Sequence, residues 1–264
     1  MKGKKSLFAV IVLAVSLVFS GAWAADLAIP GTGDGVEVLN AVGEVFTKEK
    51  GIKVLVPKSI GSGGAVKVVG TDKAVLGRVA RGIKDKEKHY GLNYKSIFEV
   101  PTVIFVHHAA AVDNLTEQQV VDIFAGKITN WSAVGGKDEE IAVIRREDGD
   151  SSLGNLKKTF PGFKDLVFSE NATLAEKTYI MVAQVANRES SIGFGPLDVA
   201  MANNLKPLAI NGKKPTGKDY PYFGTIGLVY KENNLDQASR DFLEFAASPA
   251  AHDAIVKAGG RPIQ

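Results

Sequence analysis

Stretches with strand-like and helix-like spacing alternate along almost the whole chain, and the junctions between them are rich in glycine and serine. This alternation confines the chain to an α/β architecture, predicted here with mainly parallel sheets. Residues 26–29 (DLAI) read as a strand, and Val38, Leu39, Val42 and Phe46 mark one face of a helix that stops at Gly51. Residues 52–57 (IKVLVP) read as a strand running into 61–69 (GSGGAVKVV), where a glycine-rich turn opens another helix. Residues 95–108 (KSIFEVPTVIFVHH) read as extended chain, and 116–126 (TEQQVVDIFAG) as a helix with Thr116 as N-cap. Two further helices are predicted over 172–187 and 235–247.

In such sheets ligands bind at the turns between strands and helices. Three turns here combine Gly with Ser, Thr or Asp and stand directly before a helix: 30–35 (PGTGDG), 61–64 (GSGG) and 148–154 (DGDSSLG). A helix start presents unpaired N–H groups and about half a positive charge, so each turn is a candidate anion seat. The third turn follows Arg145 and Arg146 at the end of a strand-like run. Arginine, scarce in this chain, matches oxyanions with a forked donor. Neighbours on a strand point to opposite sides, so Arg146 is the expected ligand contact and Arg145 a surface residue. Asp148 and Asp150 bring negative charge to the same place, which an anion seat has to accommodate.

Other chemistries find little support. The segment GTGDGVE has its third glycine misplaced for a dinucleotide fingerprint. His107 and His108 are adjacent, so on a strand their rings should point apart, and no partner has ligand spacing; no metal is expected. No Gly-x-Ser-x-Gly element or suitably placed His suggests a nucleophilic triad.

The first residues pose a separate question. Lys2, Lys4 and Lys5 precede an apolar run from Leu7 to Phe19, and Ala22-Trp23-Ala24 offers a cleavage site. Residues 1–24 are therefore expected to be a secretory signal peptide, with the mature chain beginning near Ala25. The run is shorter than the ~20 residues of an ordinary membrane span. Cysteine is absent, which excludes disulfides, thiolate metal sites, thiol nucleophiles and a lipid-modified N-terminal Cys. Removing three lysines with the signal peptide leaves 32 − 3 = 29 basic against 29 acidic residues. A neutral mature chain has no electrostatic case for nucleic acid or an anionic membrane surface. The expected product is a free periplasmic monomer.

Five segments together resemble one family, the phosphate-binding proteins of bacterial ABC transporters. They are 115–136 (LTEQQVVDIFAGKITNWSAVGG), 61–69, 145–160 (RREDGDSSLGNLKKTF), 190–197 (SSIGFGPL) and 242–260 (FLEFAASPAAHDAIVKAGG). They keep the family order and cover nearly the whole mature chain. The resemblance implies an α/β, two-lobed periplasmic-binding-protein fold, type II-like, with a hinged ligand cleft. Lobe one would comprise 25–100 plus 222–264, and lobe two 101–221. It implies a solute-binding protein, not an enzyme, that captures inorganic phosphate or a similar oxyanion for a membrane permease and needs no cofactor.

Carried over residue by residue, the resemblance puts Ser62, beside Gly63, where the family uses a hydroxyl, and Arg146 at the family's anion-binding arginine. The Ser-Gly-Thr triplet that follows in the family reads Asp150-Ser151-Ser152 here. The first turn offers Thr32, Gly33 and Asp34 where the family commonly has Ser or Thr, and a Ser-Arg or Ser-Asp pair appears as Ala80-Arg81. The expected ligand contacts are thus Thr32, Asp34, Ser62, Gly63, Arg81, Arg146, Asp150, Ser151 and Ser152. A carboxylate accepts a proton from a protonated oxyanion and rejects sulfate, which has none to give. Two carboxylates beside a dianion are unfavourable, so one is expected to turn outward, pair with Arg81 or serve another ligand. The alternative reading is a family member that has lost phosphate binding and acts as a sensory or interaction protein, or binds a different small ligand. A carboxylate hydrolase using Asp34 and Asp150 ranks last, since neither a metal nor a positioned base is indicated.

Overall fold

The computed structural model describes residues 26–263; the expected signal peptide and its cleavage point lie outside the described residues. β1 (Leu27–Ala28) pairs in parallel with β2 (Val54–Leu55), and α1 (Val36–Lys50) crosses between them. α1 buries Val38, Leu39, Val42 and Phe46 on one stripe and ends at Gly51, whose left-handed φ of 70° lets its N–H bond Thr47 O. Next come α2 (Gly61–Gly70), β3 (Leu76–Val79), β4 (Asn93–Val106), β5 (Asn114–Leu115) and α3 (Glu117–Phe124). β6 (Ala142–Arg146), α4 (Ser151–Thr159), β7 (Thr173–Ala175), α5 (Thr178–Ala186), β8 (Ser191–Pro196) and α6 (Leu197–Ala202) follow. The order closes with β9 (Lys206–Pro207), β10 (Ala209–Ile210), β11 (Phe223–Tyr230), α7 (Gln237–Ala246), α8 (Pro249–Lys257) and β12 (Arg261–Pro262).

The main sheet runs β3-β11-β4-β8-β6-β7. β4 holds it together by serving two partners in succession. From Asn93 to Pro101 it pairs with β11, and from Thr102 to Val106 it pairs with β8. The changeover falls at Pro101, which has no N–H to offer a ladder. Two large apolar cores lie on either side of it. One draws on Val103 to Tyr222; the other combines Leu27 to Val100 with Ile226 to Ile255. The protein is a two-lobed α/β structure of the expected kind.

Several local expectations need correction. The sheet is mixed: β8-β6-β7 is parallel, whereas β3-β11-β4-β8 is antiparallel. A chain that passes from one lobe to the other along β4 must return, and β11 returns beside it in the opposite sense. The helix predicted over 172–187 is shorter, because Thr173–Ala175 forms β7 against β6 and the helix starts only at Thr178. The His107 and His108 rings lie 4.2 Å apart instead of pointing away from each other, since β4 has ended at Val106 and strand alternation no longer governs them.

Thr116 caps α3 as expected: its Oγ1 accepts the Gln119 N–H at 3.1 Å, and Gln119 Oε1 accepts the Thr116 N–H at 2.8 Å. Thr116→Ala should therefore lower stability by about 1 kcal/mol in urea denaturation with an unchanged m-value.

Candidate functional site

The three glycine-rich turns meet between the two cores. The first is pinned by Arg78, a fully buried residue of β3. Its Nε donates to Thr32 O at 2.7 Å, Nη2 to Pro57 O at 2.6 Å, and Nη1 to Ile29 O. Burial lowers the guanidinium to about 10, opposed by the charge of Asp34, so it stays protonated at neutral pH. A side chain at Gly31 would collide with this support, its Cβ falling 1.9 Å from Arg78 O. Only glycine fits there.

In the second turn Ser62 Oγ accepts the Ala80 N–H at 3.1 Å and lies 2.8 Å from Ser151 Oγ of the opposite lobe. In the third turn Asp150 caps α4, one oxygen accepting the Leu153 N–H at 2.8 Å. Its other oxygen is 2.9 Å from Arg146 Nη2. Arg146 also donates through Nε to Ala175 O at 2.9 Å and through Nη1 to Thr178 Oγ1 at 3.1 Å, with Glu147 at 3.2 Å. The carboxylate beside the arginine thus serves as its ion-pair partner and as a helix cap. Neither Asp34 nor Asp150 pairs with Arg81, which is clamped by Glu87 at 2.7 Å. Arg145 lies over the Phe168 ring at 5.9 Å.

A cleft of about 180 Å³ separates these turns, with Thr32, Ser62 and Gly63 on one wall and Arg146, Asp150 and Ser151 on the other. Asp34 and Ser152 sit behind it, Ser152 Oγ donating to Asp34 Oδ1 at 3.1 Å between the lobes. Arg81 faces a wider neighbouring groove. Lys177 and Thr178 also line the cleft, at the start of α5. The sequence reading missed them because a helix drawn from 172 concealed this fourth helix start.

Buried carboxylates dominate the electrostatics. Burial, reinforced by the charge of Asp150 and opposed by Arg146, pushes Asp34 up to about 7. Burial also raises Asp150, against the pull of Arg146. A third acid, Asp198 of α6, went unnoticed in the sequence. It accepts the Glu37 N–H at 3.1 Å and so caps α1, whose own N-cap is Gly35. Burial takes Asp198 up to about 7. Both Asp34 and Asp198 bind a proton more tightly folded than unfolded, so their contribution to stability is present below the unfolded value and lost as pH rises through about 7. Asp198→Asn keeps an acceptor for the α1 N–H groups and removes the ionisation. It should flatten the fall in stability between pH 5 and 8, read by denaturant unfolding; an unchanged slope would contradict the assignment.

A family profile described as the PBP superfamily domain matches residues 20–250. The chain belongs to the PBP superfamily. Within the superfamily it is similar to a phosphate-binding protein PstS of Bacillus subtilis, 22% identical over 88% of this chain and 78% of that one. A PstS of Borreliella burgdorferi is 23% identical over 62% of this chain, and the match spans 64% of that protein's length. A solved structure from Clostridium perfringens, described as a phosphate ABC transporter substrate-binding protein with bound phosphate, has a TM-score of 0.80. It is 26% identical and covers 90% of this chain and 100% of its own.

Proposed function

We propose that this protein binds inorganic phosphate, or a closely related oxyanion, in the cleft between its lobes and delivers it to the membrane permease of an ABC transporter. In this reading the chain is exported to the periplasm, acts as a monomer and performs no chemistry. Lobe one is 25–100 plus 222–264 and lobe two 101–221, with closure between them. The observation that carries the proposal is convergence: helix starts and hydroxyls from both lobes meet beside a buried arginine. The Bacillus, Borreliella and Clostridium relatives support it. Asp150, on the cleft wall, favours a ligand whose oxygen carries a proton, because it can donate to a carboxylate, and repels one that has none.

One observation favours the rival reading, in which phosphate binding has been lost. The Arg146 guanidinium already has Asp150, Glu147, Thr178 and the Ala175 carbonyl as acceptors, so the site is self-satisfied. Thermal unfolding separates the two. Phosphate at about a thousandfold over a micromolar Kd should stabilise the folded state by about 4 kcal/mol, several degrees in Tm, with sulfate inert. No shift with phosphate would favour the rival.

A further inference from the structure

Beside the anion cleft lies a wider groove of about 720 Å³, and Gly149, Asp150 and Ser151 form a wall common to both. The groove has the size of a small-molecule site, typically about 300–1,000 Å³, while the inner cleft of about 180 Å³ has room only for a compact ion. Ser62 lines only the inner cleft and Ser151 lines both, so their hydrogen bond of 2.8 Å stands at the boundary.

The charges of the groove do not cancel. Its acids are all engaged: Glu99 by Arg261, Asp148 by Lys157 and Asp150 by Arg146. Among its cations, Lys84 from one lobe and Lys158 from the other make no close ion pair with a carboxylate among the described residues, the charge of Lys84 acting on Glu87 only from a distance. Arg81 stands between the two spaces. It lines the groove, and its Nη2 comes within 3.8 Å of a Cβ built on Gly63 in the inner cleft. Glu87 and Gly82 O occupy its terminal nitrogens, yet its Nε is buried with no acceptor. A buried donor without a partner is costly, which favours a turn of the Arg81 side chain that brings Nε to an anion placed in the groove.

We propose that the groove is a second anion subsite and that the ligands of this protein include condensed phosphates. One phosphoryl group takes the inner cleft, and the next replaces the Ser62–Ser151 hydrogen bond at the boundary and faces Arg81, Lys84 and Lys158. The inference rests on the phosphate reading of the inner cleft and extends it. Free phosphate uses the first subsite alone; a neutral remainder, as in glycerol phosphate, gains nothing from the lysines.

Calorimetry with phosphate, pyrophosphate and glycerol phosphate tests this on the wild type and on Lys84→Gln/Lys158→Gln, whose two exposed side chains leave the fold intact. Pyrophosphate should bind at least about tenfold tighter than phosphate to the wild type, and the double substitution should erase that advantage without changing phosphate affinity. Equal affinities in the wild type, an advantage that survives the substitutions, or the same gain with glycerol phosphate would overturn the subsite. Pyrophosphate binding without phosphate binding would reject phosphate as the ligand and leave the subsite standing. Binding of neither would reject both.

Discussion

Arg146→Ala is expected to abolish phosphate binding and to cost roughly 3–5 kcal/mol of stability, because it strands the buried Asp150 carboxylate without its partner. The two effects can be separated. In Arg146→Ala/Asp150→Ser the hydroxyl still caps α4 and only the partly exposed Glu147 loses its partner, so most of the stability should return while binding stays lost. Asp150→Ser alone frees a guanidinium N–H for the ligand and should hold or improve phosphate affinity. Weaker phosphate binding with relaxed rejection of sulfate would instead show that Asp150 accepts the ligand's proton. Urea denaturation beside calorimetry on the three variants reads both quantities. Full stability in Arg146→Ala would contradict the ion-pair account.

The second large effect belongs to Arg78, which binds no ligand in this account. Its guanidinium is shared by the carbonyls of Ile29, Thr32 and Pro57, which fixes the first turn relative to β2 and β3. Arg78→Ala leaves those carbonyls short of a donor, at ~1–3 kcal/mol for each buried group, and opens a cavity as well. A loss above about 4 kcal/mol is expected, a large share of the roughly 5–15 kcal/mol that holds a native protein folded. Arg78→Lys should rescue only part, since an ammonium is a compact point donor where the guanidinium is a fork. A loss below about 1 kcal/mol for Arg78→Ala would show that the first turn does not depend on it.

Sequence patterns revealed α1, α3 and α7 through an apolar stripe with a recognisable stop or cap, α2 through the glycine-rich turn that opens it, and β4 as a long extended, mostly apolar run. It missed β7, three residues whose pairing with β6 is a tertiary fact that no local pattern announces. The mixed sheet was hidden for the same reason: strand direction depends on where the chain crosses between lobes. That Ser62, Arg146 and Ser151 would stand together on the cleft could be read from the sequence, because each lies in or beside a glycine-rich turn that opens a helix. Thr178 and Asp198 were not. Each acts across a distance in sequence, Thr178 on Arg146 and Asp198 on the start of α1, and neither stands in a glycine-rich turn. Asp150 was noticed for its charge, but its two structural roles became visible only with Leu153 and Arg146 in place.

Isothermal titration of the mature protein with phosphate and with sulfate at pH 7 tests the central claim most directly. The account predicts one phosphate per chain with micromolar or tighter affinity, about −8 kcal/mol or better, and no measurable heat from sulfate. No heat from phosphate, or equal binding of the two anions, would contradict it.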